Sequence, residues 1–257
     1  MSRNPVAGNR QAAYVRPMFR NSSAAWLILL GLTGPAVAQT NWPWFRGANA
    51  DGLARGTITP AIWNVERSEH VLWKRAIPGL GHSSPVIWGD KLFVTTAVNQ
   101  RKAAPLKVGL YGDPESAEDN DVQQWKVFCL DKRTGQILWE QTAHEGVPRL
   151  KRHPKATHAN CTMATDATNV VAFFGSEGLY CYDLDGHPRW QKDWGSLRTS
   201  PVVYNDTPDP QGVALEWGFA SSPIIYRNRV RPIGREVADV SGVVGSAIDD
   251  GDTPGTS

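Results

Sequence analysis

Cysteine is scarce in this chain of 257 residues: Cys129, Cys161 and Cys181 are the whole complement, and an odd number of thiols cannot all pair internally. Charge of one sign is equally short. Lysine and arginine number 27 against 25 acidic residues, a net charge of +2, which gives no case for a nucleic-acid partner. Beyond the N-terminus no apolar run approaches the roughly 20 residues that cross a hydrocarbon core, so no transmembrane segment is expected. No later stretch keeps helical periodicity over three turns, which leaves strands and turns as the building material. The motifs G-x-S-x-G, H-E-x-x-H and the P-loop are missing. "GLGHSS" (79–84) begins like a dinucleotide loop but lacks the third glycine and any following helix.

What the chain does have is an export leader by pattern. Arg16 and Arg20 precede the apolar run 24–32, and Pro35 and Ala36-Val37-Ala38 follow it. A run this short is a signal-peptide core rather than a membrane span, so residues 1–38 are expected to be removed after Ala38 and the product to be periplasmic or secreted. No cysteine lies near the cut, so no lipid anchor is expected. An oxidising compartment would permit disulfides. Cys129 and Cys181, however, sit at equivalent places of two repeats, where Cα atoms are usually too far apart to bridge. They are expected to be buried small hydrophobes.

Tryptophan is the abundant residue, with 11 in the chain, and its placement is periodic. "HVLWKRAIPG" with Trp73, "QILWEQTAHEG" with Trp139 and "HPRWQKDWG" with Trp190 end three segments. "LDKRTGQILWEQ" (130–141) is echoed by "YDLDGHPRWQKD" (182–193): Asp131 or Asp183 opens a turn, Gly135 or Gly186 bends it, and Trp139 or Trp190 follows. A second series, "HSSPVIWGDKLFVTT", "NCTMATDATNVVAFF" and "ASSPIIYRNRV", begins each unit with small polar residues, an apolar pair and a turn. The turns fall at Gly89-Asp90, Asp166-Ala167-Thr168 and Arg227-Asn228. Val86-Ile87-Trp88, Leu92-Phe93-Val94, Val127 to Leu130 and Ile137-Leu138-Trp139 are short, β-branched or aromatic runs bounded by turn residues, and read as strands. The unit is therefore four short antiparallel strands. Once the polar insertion 99–124 is set aside, its period matches a propeller blade of roughly 40–50 residues. A β-sandwich is the other all-β arrangement weighed.

"NWPWFRGANADG" (41–52), "GHSSPVIWGDKLFVTTAV" (81–98), "WKVFCLDKRTGQILWE" (125–140), "THANCTMATD" (157–166), "VVAFFGSEGLYCYDLDG" (170–186) and "WGFASSPII" (217–225) resemble the PQQ-like β-propeller repeat family, with its BamB-like and quinoprotein-alcohol-dehydrogenase-like branches. The likeness implies an all-β propeller of four-stranded antiparallel blades in a closed ring, usually of eight. It also implies that each repeat tryptophan docks between blades and that the first strand of each blade lines a central channel. Residues 39–230 would form about three blades, with 41–80 supplying a closing strand. Residues 231–257, without Trp and rich in Gly, Asp, Ser and Thr, read as a non-homologous disordered tail. A truncated or frame-shifted product is the corresponding expectation.

A quinone site in such a family is implied to need PQQ with Ca²⁺, held against a tryptophan and two adjacent cysteines; no two cysteines here are adjacent. The one local metal candidate is "HPKATHANC", with His153, His158 and Cys161, whose imidazoles and thiolate would suit zinc but lack a fourth ligand. The alternative is a solvated loop with Cys161 buried. The same loop is basic (Arg149, Lys151, Arg152, Lys155), fit for an anionic ligand, for solvent, or for an ion pair with the acidic Asp113, Glu115, Glu118, Asp119 and Asp121. His82-Ser83-Ser84-Pro85, His158-Ala159-Asn160-Cys161 and Phe219-Ala220-Ser221-Ser222 occupy one place in three units. They read either as a polar ring at a channel mouth or as small residues where strands crowd. The expected function is an exported, non-catalytic binding or scaffold protein with a protein partner; the alternative is a fragment of a PQQ-dependent quinoprotein dehydrogenase.

Overall fold

The computed structural model describes residues 41–101, 106–107, 116–117, 119–197, 218–231 and the backbone of 238–239. The leader expected over 1–38 lies outside them. The described chain is all-β, with no α-helix and one 3₁₀ turn at Gly175–Glu177. A first sheet holds β1 (Val86–Trp88), β2 (Lys91–Asn99), β3 (Gln123–Asp131) and β4 (Ile137–Gly146) in that order. A second repeats the order with β5 (Ala164–Thr165), β6 (Val170–Phe173), β7 (Leu179–Tyr182) and β8 (Pro188–Lys192). A third has three strands, β9 (Ile224–Tyr226), β10 (Arg229–Arg231) and β11 (Ala238–Asp239). Every pairing between these strands is antiparallel.

Turn chemistry sets these hairpins. Arg227 and Asn228 both have positive φ, 48° and 62°, the backbone of a two-residue I′ turn that matches strand twist. In the longer β3–β4 and β7–β8 turns the aspartate acts as a cap. Asp131 Oδ1 accepts from the backbone N–H of Arg133 and Thr134, and Asp183 Oδ1 from those of Asp185 and His187. The register slips by one residue just after Cys129 and just after Cys181, a β-bulge at the same place in both units. That bulge sets Trp139 opposite Cys129 and Trp190 opposite Cys181.

Alternation along the strands builds two apolar layers. Phe93, Trp125, Val127 and Cys129 of the first sheet pack with Val170, Ala172, Tyr180 and Tyr182 of the second. The opposite face of the second sheet, with Val171, Leu179 and Cys181, packs with Ile225 and Val230 of the third. The second sheet is thus buried on both faces, and its strands β5, β6 and β7 are wholly buried.

One expectation changes. The strand pattern was expected to stop after Val230, but β10 runs on to Arg231, and β11 pairs with it through Arg229↔Asp239 and Val230↔Ala238. Backbone pairing needs no tryptophan and no repeat motif, so the motif's absence did not mark the end of the sheet. Among the described residues the three sheets do not close into a ring.

All three cysteines are free and buried. Cys129 lies in the first apolar layer, Cys161 and Cys181 in the second. Burial pushes each thiol up to about 12. Since the thiolate is the reactive form, Ellman's reagent should leave all three unlabelled in the native protein and label all three in denaturant. Rapid labelling of any thiol in the native state would contradict this burial.

Candidate functional site

The echoed motif is a joint between sheets. The Trp139 ring lies over the second sheet's turn, and Nε1 donates to Leu184 O at 3.0 Å. Trp73 does the same one unit earlier, donating to Lys132 O at 2.8 Å. A Cβ at Gly135 would stand 2.5 Å from the Trp73 ring, and one at Gly186 would stand 2.7 Å from the Trp139 ring. Glycine is therefore required for contact as well as for the turn, with φ of +69° and +88° at the two positions. Trp190, the third of the series, packs at the edge of the second apolar layer. Asp131 and Asp183 cap the turns, Gly135 and Gly186 lie under the rings of Trp73 and Trp139, and Trp190 lies against the second apolar layer.

The polar residues before each first strand also join units. Ser84 N–H donates to Thr162 Oγ1 at 3.0 Å, and Thr162 N–H donates to Ser222 Oγ at 2.9 Å. His82 N–H donates to Ala159 O at 3.0 Å. Ser84, Thr162 and Ser222 each stand two residues before a first strand, so one contact recurs from sheet to sheet. These hydroxyls serve packing, as the crowding argument expected.

The metal candidate does not assemble. Cys161 sits in the second apolar layer with Sγ 3.5 Å from Phe219 O. His158 turns the other way, its ring edge-on to Trp125 at 6.0 Å. His153 Nδ1 accepts from Lys155 N–H at 3.1 Å. Among the described residues no three His, Cys, Asp or Glu side chains are placed to share a metal ion. The cysteines also do not fit a quinone site, since each thiol is packed inside an apolar layer rather than paired with a neighbour.

The two charged loops do meet, in a way sequence spacing did not show. Arg152 Nε donates to Asp119 Oδ2 at 2.8 Å, with side-chain exposures of 1% and 4%. Asp119 Oδ1 accepts from Asn99 Nδ2 at 2.8 Å and from Gln123 Nε2 at 2.9 Å, and Arg152 Nη1 donates to Ala156 O at 2.9 Å. His158 Nε2 stands 3.6 Å from Asp119 Oδ2. Burial opposes charge on Asp119, but His158 and Arg152 outweigh it and hold the carboxyl well below the usual range. The insertion is thereby fastened to the loop 147–158, and Ala117 N–H adds a bond to Arg152 O at 2.9 Å. An exposed pair was expected to be weak; burial makes this one a structural anchor. Asp113, Glu115 and Glu118 lie outside the described residues.

Beside it lies a second charged group. Arg149 donates its backbone N–H to Glu177 Oε1 at 2.7 Å and its Nη2 to Asp193 Oδ2 at 2.7 Å. Burial raises Glu177 above the ordinary carboxylate range, whereas the Arg149 guanidinium holds Asp193 well below it. Trp125, fully buried, has the His144 ring at 5.2 Å on one side and His158 on another. This is a polar centre under one end of the first and second sheets. Its two arginines are met by carboxylates, Arg149 by Asp193 and Arg152 by Asp119, and these pairs tie the loops together. A lone arginine in a basic run gives no sequence signal for such burial.

The stretch before β1 exposes large apolar side chains. Leu53, Ile58, Ile62, Trp63, Val65 and Leu72 are 46–99% exposed along one stretch without strands. No family model and no curated protein matches the chain.

Proposed function

We propose that the chain is an exported, non-catalytic binding or scaffold protein whose sheets are consecutive blades of a PQQ-like β-propeller, and that it docks a protein partner. The blade reading is supported by the repetition of one contact set between units: the tryptophan on the turn glycine, and the backbone N–H on the next unit's hydroxyl. The docking reading is carried by one observation, the exposed apolar residues of 53–72. Six large apolar side chains within 20 residues are open to water there, denser than the scattered single exposures ordinary on a surface.

A photo-crosslinking residue in place of Ile62, which is 71% exposed, tests it in the full chain expressed in cells. The expected result is a discrete adduct with a different protein, absent when the probe replaces the buried Val127 instead. No adduct, or the same adduct from both positions, would sink the docking reading. Titration of the full chain with PQQ and Ca²⁺ should give no quinone absorbance shift and no dye reduction; either signal would favour the dehydrogenase alternative.

A further inference from the structure

The three sheets repeat one cross-strand pair, and in the third its chemistry changes. The pair joins the first strand of each sheet to the second: Val86↔Phe93, Ala164↔Val171 and Ile224↔Arg231. Cross-strand partners stand on one face of their sheet. In the first two sheets both partners are apolar and 0% exposed, and they lie in the apolar layer shared with the next sheet along. In the third sheet Ile224 is 42% exposed and its partner is an exposed arginine.

The rest of that face has the same character. Side chains alternate between the two faces of a strand, so Tyr226 and Arg229 share the face of Ile224 and Arg231. Ile225 and Val230 point the other way, into the second apolar layer. Tyr226 is 56% exposed, and Arg229 is exposed as well. Arg227, in the turn between the strands, places its guanidinium carbon 5.1 Å from the centre of the Tyr226 ring. Residues 224–231 hold three arginines and no carboxylate.

A guanidinium does not suit the apolar layer that its counterparts Phe93 and Val171 build, because burying its charge there would cost the loss of its water. It does suit carboxylates. The group is flat, and its N–H donors form a fork that takes both oxygens of a carboxylate at once. Ile224 and Tyr226 on one strand, facing Arg231 and Arg229 on the next, match a segment in which acidic and apolar side chains alternate. A phosphate polymer would satisfy the arginines but set charge against Ile224. The chain's net charge of +2 also supplies no broad positive field to attract such a polymer.

We propose that the outward face of the third sheet docks an acidic segment of a partner protein. Carboxylates of that segment meet Arg229 and Arg231, and its apolar side chains lie on Ile224 and on the Tyr226 ring. This surface goes beyond the docking stretch 53–72 and does not depend on reading the sheets as propeller blades.

Fluorescence anisotropy of the full chain with a labelled peptide of alternating glutamate and valine tests this. Salt of about 0.15 M screens charges farther apart than about 8 Å, so that only contacting groups count. The glutamate peptide should bind about tenfold more tightly than its glutamine counterpart, the charge being the one difference between them. Arg231→Gln should lower affinity for the glutamate peptide several-fold, and Arg231→Glu by about tenfold or more. Arg231→Glu should also gain affinity for a peptide of alternating lysine and valine, a gain that requires a folded third sheet. Equal binding of the glutamate and glutamine peptides would overturn the proposal. So would binding untouched by either variant, no gain for the lysine peptide, or a stronger hold on single-stranded DNA than on the glutamate peptide. A failure to crosslink through Ile62 would leave it standing, since that position belongs to the other stretch.

Discussion

Gly186→Ala is expected to lower the stability of the protein by about 2–6 kcal/mol in urea unfolding, the sum of two separable costs. Gly186 has φ of +88°, a conformation that costs an alanine about 1–3 kcal/mol of backbone strain. The new methyl would also stand 2.7 Å from Cδ2 of Trp139. That ring cannot step aside cheaply. Its Nε1 is bonded to Leu184 O, and Phe93 and Tyr182 pack against it with ring centroids 5.9 and 6.2 Å away. Overpacking of this kind adds about 1–3 kcal/mol. Gly89→Ala is the control, because Gly89 also has positive φ, +59°, yet a Cβ there meets nothing within 4 Å. It should show the strain alone. Equal losses in the two variants would mean that the tryptophan contact contributes nothing, and the joint between sheets would have to be sought elsewhere.

Asp119→Ala is expected to cost about 3–5 kcal/mol at neutral pH, because it leaves the Arg152 guanidinium buried without its counter-charge. Replacing both partners by apolar residues, Asp119→Ala with Arg152→Met, should be less damaging than Asp119→Ala alone, since no uncompensated charge then remains. Urea midpoints of the two single variants and the double variant measure the difference. A double variant as unstable as the sum of the singles would show that the pair acts through packing and not through charge. The pH dependence has a definite sign. The folded carboxyl titrates below its unfolded value of about 3.9, so the pair's stabilisation is fully present above that value. It is lost as pH falls from there through the lower folded value. Asp119→Asn should remove that acid-side decline, while the parent should show it. An identical acid limb in both would refute the assignment.

These variants probe different layers of information in the chain. Val86-Ile87-Trp88 was legible as a strand because its side chains are β-branched or aromatic and a Gly-Asp turn follows. It forms β1 with those bounds. The Asp131–Gly135–Trp139 echo was legible as a turn and strand because its residue types serve local backbone needs: an oxygen to cap amides, a glycine for positive φ, and a flat ring after the bend. Burial of Cys129 and Cys181 was legible from their equivalent places in two repeats, too far apart to bridge. The polar centre was not legible. Asp119 and Arg152 lie 33 residues apart in two loops of like appearance to any solvated charge run, and only packing of the insertion against loop 147–158 removes both from water. The metal candidate failed for the same reason in reverse, since His158 and Cys161 are near neighbours in the chain but turn to opposite sides of it.

The sequence by itself determined the local units: short antiparallel strands, turns built on Asp and Gly, a tryptophan after the turn, and three such units in order. Tertiary structure alone decided which charges are buried, where the cysteines and histidines point, and that β11 extends the third sheet without any repeat motif. It also decided that the strandless stretch before β1 is tied to the first sheet's turn by Trp73 on Lys132 O and Arg75 on Gly135 O. The physical reason is one of range. Backbone preference and side-chain alternation act over a few residues and leave a periodic trace, whereas burial of a charge and pairing of an edge depend on what another part of the fold brings alongside.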